Sequence, residues 1–168
     1  MTQDNQVGSG GGRLEIQTAR SRLEEAAQTL RKRPRQDLIA ALGELLDRFQ
    51  DGESSWHEAL LAKTVKTSGF SRATVAAGLE LALKDWTHSS LTAMVEQELG
   101  SLSRNTGPPP SGCSVTSLIL AGVIPMPNLL NTLLPLLVGS PVLVKPSSRD
   151  PHTPELVARC LSDIDPQW

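Results

Sequence analysis

Apolar positions in the first hundred residues recur with helical spacing. Leu38, Ile39, Leu42, Leu45, Leu46 and Phe49 form one stripe of 3.6-residue period, with Arg35, Glu44, Asp47 and Arg48 off it, which predicts an amphipathic helix. Pro34 separates that helix from an earlier one over about 13–33, whose Leu14, Leu23, Ala27 and Leu30 face inward, and the glycine of "QDGES" closes it in a turn. A third helix is expected over about 54–67. In "GFSRATVAAGLELALKDW", Ser71 is a candidate N-cap and Val75, Leu79, Ala82 and Trp86 share a face, which predicts a fourth. "LTAMVEQELG" reads as a fifth, ending at Gly100. Trp56, Phe70 and Trp86 are expected as packing anchors among these helices.

After "GPPPSG" the pattern changes. "SVTSLILAG" is β-branched and apolar without alternation, which predicts a strand buried on both faces. "MPNLLNTLLPLLVG" has helical length, with Pro127 in its first turn and Gly139 at its end. "PVLVKP" predicts a second short buried strand. "TPELVARCL" predicts a helix with Thr153 as N-cap, Pro154 first inside it and Glu155 in its first turn. The order strand, helix, strand, helix is that of a right-handed βαβ unit of a parallel sheet. The expected fold is therefore α/β: a disordered polar tail over 1–12, a helical region over 13–106, a proline-rich linker over 107–112 and an incomplete βαβα unit over 113–168.

Composition narrows the class. With 168 residues, 39% apolar and 20% charged, the chain falls in the range of soluble globular proteins. A net charge of −2 leaves no electrostatic footprint for nucleic acid, and the basic run Arg31–Arg35 is balanced by nearby acids, as in a solvated helix junction. No charged residue occurs from Asn105 to Val144, which raises the question of a membrane span. A spanning helix needs about twenty uninterrupted apolar residues. Pro125, Pro127, Pro135 and Pro141, with Asn128, Asn131, Gly122 and Gly139, cut the stretch too short, so no membrane span is expected. No secretory signal is expected, and Cys113 and Cys160 are expected as free thiols in a cytoplasmic setting. His57, His88 and His152 lie far apart without ligand spacing, so no metal site is expected.

In open parallel sheets, ligands sit beyond the carboxyl ends of the strands. Two loops open there, "AGVIPMPN" and "KPSSRDPHT". Lys145 can direct an ammonium at a phosphate or ribose, Ser147 and Ser148 add hydroxyls, and Arg149 adds a second cation. A lysine that ends a strand is more commonly plain surface, and spacing alone leaves both readings open.

The stretch "AGVIPMPNLLNTLLPLLVGSPVLVKPSSRDP" resembles the early cofactor-domain segment of the aldehyde dehydrogenase superfamily, with Gly139 six residues before Lys145 and then Pro146 and Ser147. More narrowly, residues 13–168 resemble the LuxC-type long-chain fatty acyl-CoA reductases of bacterial bioluminescence, most specifically in "LLVGSPVLVKPSSRDP". That resemblance implies a partial dinucleotide-binding unit in an NADPH-dependent enzyme that reduces a fatty acyl thioester, from coenzyme A or an acyl carrier, to an aldehyde through a cysteine thioester. It implies cofactor-binding roles for Lys145, Ser147, Ser148 and Arg149. In common NAD-using members of the superfamily an acidic residue stands three positions after the lysine; here Ser148 stands there, followed by Arg149, which suits a 2′-phosphate.

Two departures accompany it. Val123 stands where the family commonly has an asparagine near the reacting carbonyl, and Asn128 is out of register for an oxyanion role. Neither Cys113 nor Cys160 matches the family's nucleophile, which is expected beyond Trp168, so the chain alone is expected to be inactive. The alternative is a catalytically inactive helical interaction or regulatory module. It would bind another subunit, or a second copy of this chain, through the edge of its incomplete sheet.

Overall fold

In a computed structural model of the chain, residues 9–100 and 112–168 are described. Five helices come first: α1 (Ser9–Lys32), α2 (Arg35–Gln50), α3 (Ser55–Ser68), α4 (Arg72–Leu83) and α5 (His88–Leu99). Then β1 (Thr116–Ile119), α6 (Pro125–Leu137), β2 (Val142–Lys145) and α7 (Thr153–Ile164) alternate. The fold is mostly helical with a small parallel sheet, an α/β arrangement in the expected order. Among the described residues no helix is long and apolar enough to cross a membrane.

Local signals set the helix ends. The Ser54 hydroxyl accepts from the Trp56 amide at 3.2 Å and that of Ser71 from the Thr74 amide at 3.1 Å, while Thr87 and Ser90 cap α5 reciprocally. Each such cap contributes about 1 kcal/mol. Helix α1 starts at Ser9, inside the stretch read as a polar tail over 1–12; residues 1–8 lie outside the described residues. Glycine is a poor helix former, but lengthening an existing helix fixes only one residue for each added hydrogen bond.

The stripe on α2 organises the molecule. Leu42, Leu45, Leu46 and Phe49 are wholly buried, and α2 packs against α3, α4, α5, α6 and α7. The helical region and the βαβα unit consequently share one core, in which Leu60, Leu79 and Leu91 join Leu129, Leu133, Val157 and Leu161. Most of the stretch read as a linker lies outside the described residues, but Gly112 at its end is docked. Its amide donates to the Val138 carbonyl at 2.8 Å, and a Cβ there would stand 2.7 Å from that same oxygen. Only glycine fits this close backbone approach.

Strands β1 and β2 pair in parallel, from Thr116 opposite Val142 to Ile119 opposite Lys145, and α6 packs on them. Their burial alternates, which corrects the expectation of strands covered on both faces. Ile119 is 80% exposed and Leu143 44%, because the helices cover one face and nothing among the described residues covers the other. Two side-chain expectations also change. Trp56 and Trp86 pack against the core, whereas Phe70, in the turn between α3 and α4, is exposed.

The basic run is not simply a solvated junction. Arg31 donates to the Gly112 carbonyl at 2.9 Å, and Arg33 pairs with Asp165 at 2.6 Å while its guanidinium lies 5.1 Å from the centre of the Trp168 ring. These partners lie far along the chain, so no local pattern announces them. The Asp165 carboxyl is held below its ordinary value, first by the Gln167 amide and then by Arg33.

The central position of α2 makes it the most sensitive element. Leu45→Ala is expected to lower stability by about 2–5 kcal/mol, as buried leucine truncations do. The exposed Leu81→Ala should change it by less than about 0.5 kcal/mol. Urea unfolding followed by circular dichroism measures both.

Candidate functional site

The loops after β1 and β2 meet at the carboxyl end of the sheet, where a parallel unit places its ligands. Ser147 joins them. It is buried, its hydroxyl donates to the Gly122 carbonyl at 2.7 Å, and it accepts from the Arg149 amide at 3.1 Å. Its one proton is thus committed to the chain, and Ser147 holds the two loops together instead of offering a donor to a ligand.

Beneath the loops lies a buried polar cluster. The Asp150 carboxylate accepts from Asn128 Nδ2 at 2.8 Å, from the Thr153 amide at 3.1 Å and from the Thr153 hydroxyl at 2.9 Å. Asp150 is 5% exposed, Asn128 2% and Thr153 1%. A carboxylate only accepts, so the amide nitrogen of Asn128 must face it. Asn128 is therefore turned inward, tying α6 to the loop before α7. Asp150 supplies the acceptor at the start of α7, which corrects the N-cap role expected of Thr153: that residue is the first helical one, and its own hydroxyl donates. An ionised acceptor beside the first free amides of a helix gains from both the hydrogen bond and the helix dipole.

Outside this frame, Lys145, Ser148 and Arg149 are exposed. Lys145 ends β2 on the open face of the sheet, alongside Ile119. Neither Lys145 nor Arg149 has a side-chain partner among the described residues. The loop thus presents two cations and a hydroxyl outward while it turns its one carboxylate inward. Val123 lies in the β1–α6 loop, and no donor of Asn128 reaches the outer surface there.

The two thiols differ. Cys113 is exposed and precedes β1, so it lies toward the amino end of the strand, away from the loops. Cys160 is wholly buried in α7, and burial pushes its thiol up from 9.0 to about 11, against a smaller opposing effect of Arg48. A buried, protonated thiol is a poor nucleophile.

Asp150 escaped the sequence reading, although its position three residues before Thr153 has the spacing of a capping acceptor. Asn128 gave no such signal, because its partner is distant in the chain. No protein-family model, curated protein or solved structure matches this chain.

Asp150→Ala removes three hydrogen bonds and strands the Asn128 amide, so it should destabilise by about 2–4 kcal/mol. Arg149→Ala, at an exposed position, should change stability by less than about 0.5 kcal/mol in the same urea titration. Native protein should show one thiol reactive toward Ellman's reagent, Cys113, with Cys160 reacting only on unfolding. The folded state holds the Cys160 proton more tightly than the unfolded state, so its stabilisation is complete below 9.0 and is lost as pH rises toward 11. Cys160→Val should flatten that part of the pH–stability curve.

Proposed function

We propose that this chain forms the nucleotide-binding strand ends of an NADPH-dependent fatty acyl thioester reductase of the LuxC type, within an aldehyde-dehydrogenase-like sheet. The observation that carries the reading is the loop after β2. It is fastened to the neighbouring loop through Ser147 and Gly122, it presents the cations of Lys145 and Arg149, which have no side-chain partner among the described residues, and it buries its only acid, Asp150.

This donor set fits a phosphate-bearing nucleotide. The Lys145 ammonium would bind the adenosine ribose or its 2′-phosphate, and the Arg149 guanidinium would add a second charge-assisted contact. Ser148 offers a hydroxyl where a carboxylate would repel the phosphate. Ser147 and the Asp150 cluster act as positioning residues that keep the loop in one shape. When bound, NADPH supplies the hydride that reduces a thioester carbonyl. Cys160 is buried and protonated, and Cys113 lies at the other end of β1, so in this reading the acyl-carrying thiolate comes from outside residues 1–168.

A second reading has its own support. Ile119 and Leu143 are exposed on the open face, and among the described residues each strand pairs on one edge only. An interaction module that binds a partner through this incomplete sheet would expose the same features.

Fluorescence titration with both reduced cofactors separates the readings. NADPH should bind more tightly than NADH by about tenfold or more, the worth of one charge-assisted contact. Arg149→Glu should abolish that preference, and Lys145→Ala should weaken both cofactors. Tighter binding of NADH would overturn the preference for NADPH, and no response to either cofactor would favour the interaction module.

A further inference from the structure

Among the side chains described on α1, only Ala27 and Leu30 are buried, both near its carboxyl end. There Arg31 and the following Arg33 also fasten it, to the Gly112 carbonyl and to Asp165. The apolar stripe of this helix is longer than its buried part. Ile16, Ala19, Leu23, Ala26 and Leu30 alternate at spacings of three and four residues, the pattern of a coiled-coil seam. Toward the amino end the seam loses its cover: Leu23 and Ala19 are partly buried, and Ile16 is 69% exposed.

The charges beside the uncovered part are also unmatched. Glu15 and Arg22 flank the seam on one side, and neither has an ion-pair partner among the described residues. On the other side Arg20 is paired with Glu24 at 2.8 Å. A helix that projects from a body draws its stability mainly from packing an amphipathic face, since isolated helices shorter than about 12–15 residues are marginal in water.

We propose that this face is covered by α1 of a second copy, laid antiparallel to it. The direction follows from the body, which covers the same face from Ala27 onward and would block a parallel helix. Antiparallel, Ile16 sits against the partner's Ala19, and Ala19 against the partner's Ile16. Leu23 lies over the partner's Gly12, and the partner's helix starts at Ser9 beside Ala26, just short of the buried part. The overlap is about 27 Å long at about 1.5 Å per residue. In this register Glu15 meets the partner's Arg22, and the twofold axis repeats the pair. Two charges left unmatched within one copy are complementary between two. An interface of this size belongs to the weak, reversible class.

Analytical ultracentrifugation of the 168-residue chain over a range of concentrations tests this, with a monomer–dimer equilibrium expected. Ile16→Glu, at an exposed position, should weaken the dimer by at least about a hundredfold, because each copy loses an apolar side chain from the seam. Its urea midpoint at low concentration should not move. Glu15→Arg and Arg22→Glu should each weaken the dimer by about tenfold, since each sets like charges together twice. The double variant should restore it, which a merely local effect on helix stability would not do. Monomer at every concentration, a dimer unmoved by Ile16→Glu, or a double variant no better than the single ones would overturn the proposal. So would a dimer that Leu143→Glu dissociates and Ile16→Glu does not, which would put the second copy on the open sheet. Sedimentation of a monomer with vesicles of phosphatidylcholine and phosphatidylglycerol, abolished by Ile16→Glu, would also overturn it and make a lipid surface the occupant.

Discussion

The burial of α2 is the constraint on which the rest depends. A helix with four wholly buried side chains in about two turns must be surrounded, and here α3, α4 and α5 surround it together with α6 and α7. The βαβα unit is too small to bury its own apolar helices, since two strands cover little surface. It is completed by packing α6 and α7 against the same helix that centres the amino-terminal bundle. The arginines at the end of α1 add to this joint: Arg31 holds the start of the β1 segment and Arg33 holds the residues after α7. Such contacts give geometry more than energy, since partly exposed ion pairs contribute little.

On that base, the strand-end loops are shaped by polar groups that never reach the surface. Asp150, Asn128 and Thr153 satisfy one another in the interior, and Ser147 bonds across to the first loop. A buried network of this kind rigidifies only when its members are paired, and these are. Its effect on charge is as important as its effect on shape. With the carboxylate drawn inward, the loop's outward field is that of Lys145 and Arg149. The loop's outward charge therefore depends on a residue that faces inward.

Much of this organisation was legible in the residues. The α2 stripe, the Ser71 cap, the proline at the start of α6 and the switch from helical to strand grammar each report a local energy, and the elements appear where those signals lie. Lys145 at the end of β2 was legible for the same reason. The role of Ser147 was not, because a hydroxyl has no preferred direction until its neighbours are placed. The exposure of Ile119 and Leu143 was not either: an apolar strand has the same composition whether one face is covered or two.

By itself the sequence determined the order and type of the elements, the absence of an uninterrupted apolar run long enough to span a bilayer, and the pair of cations beside a strand end. These are short-range properties, set by periodicity, proline and glycine geometry and adjacent charge. The tertiary structure decided that the two regions share one core, that Asp150 faces inward and that Cys160 is sealed in. Each of these depends on which distant segments come to lie against the residue, and burial, hydrogen-bond partners and free volume exist only once the chain has packed.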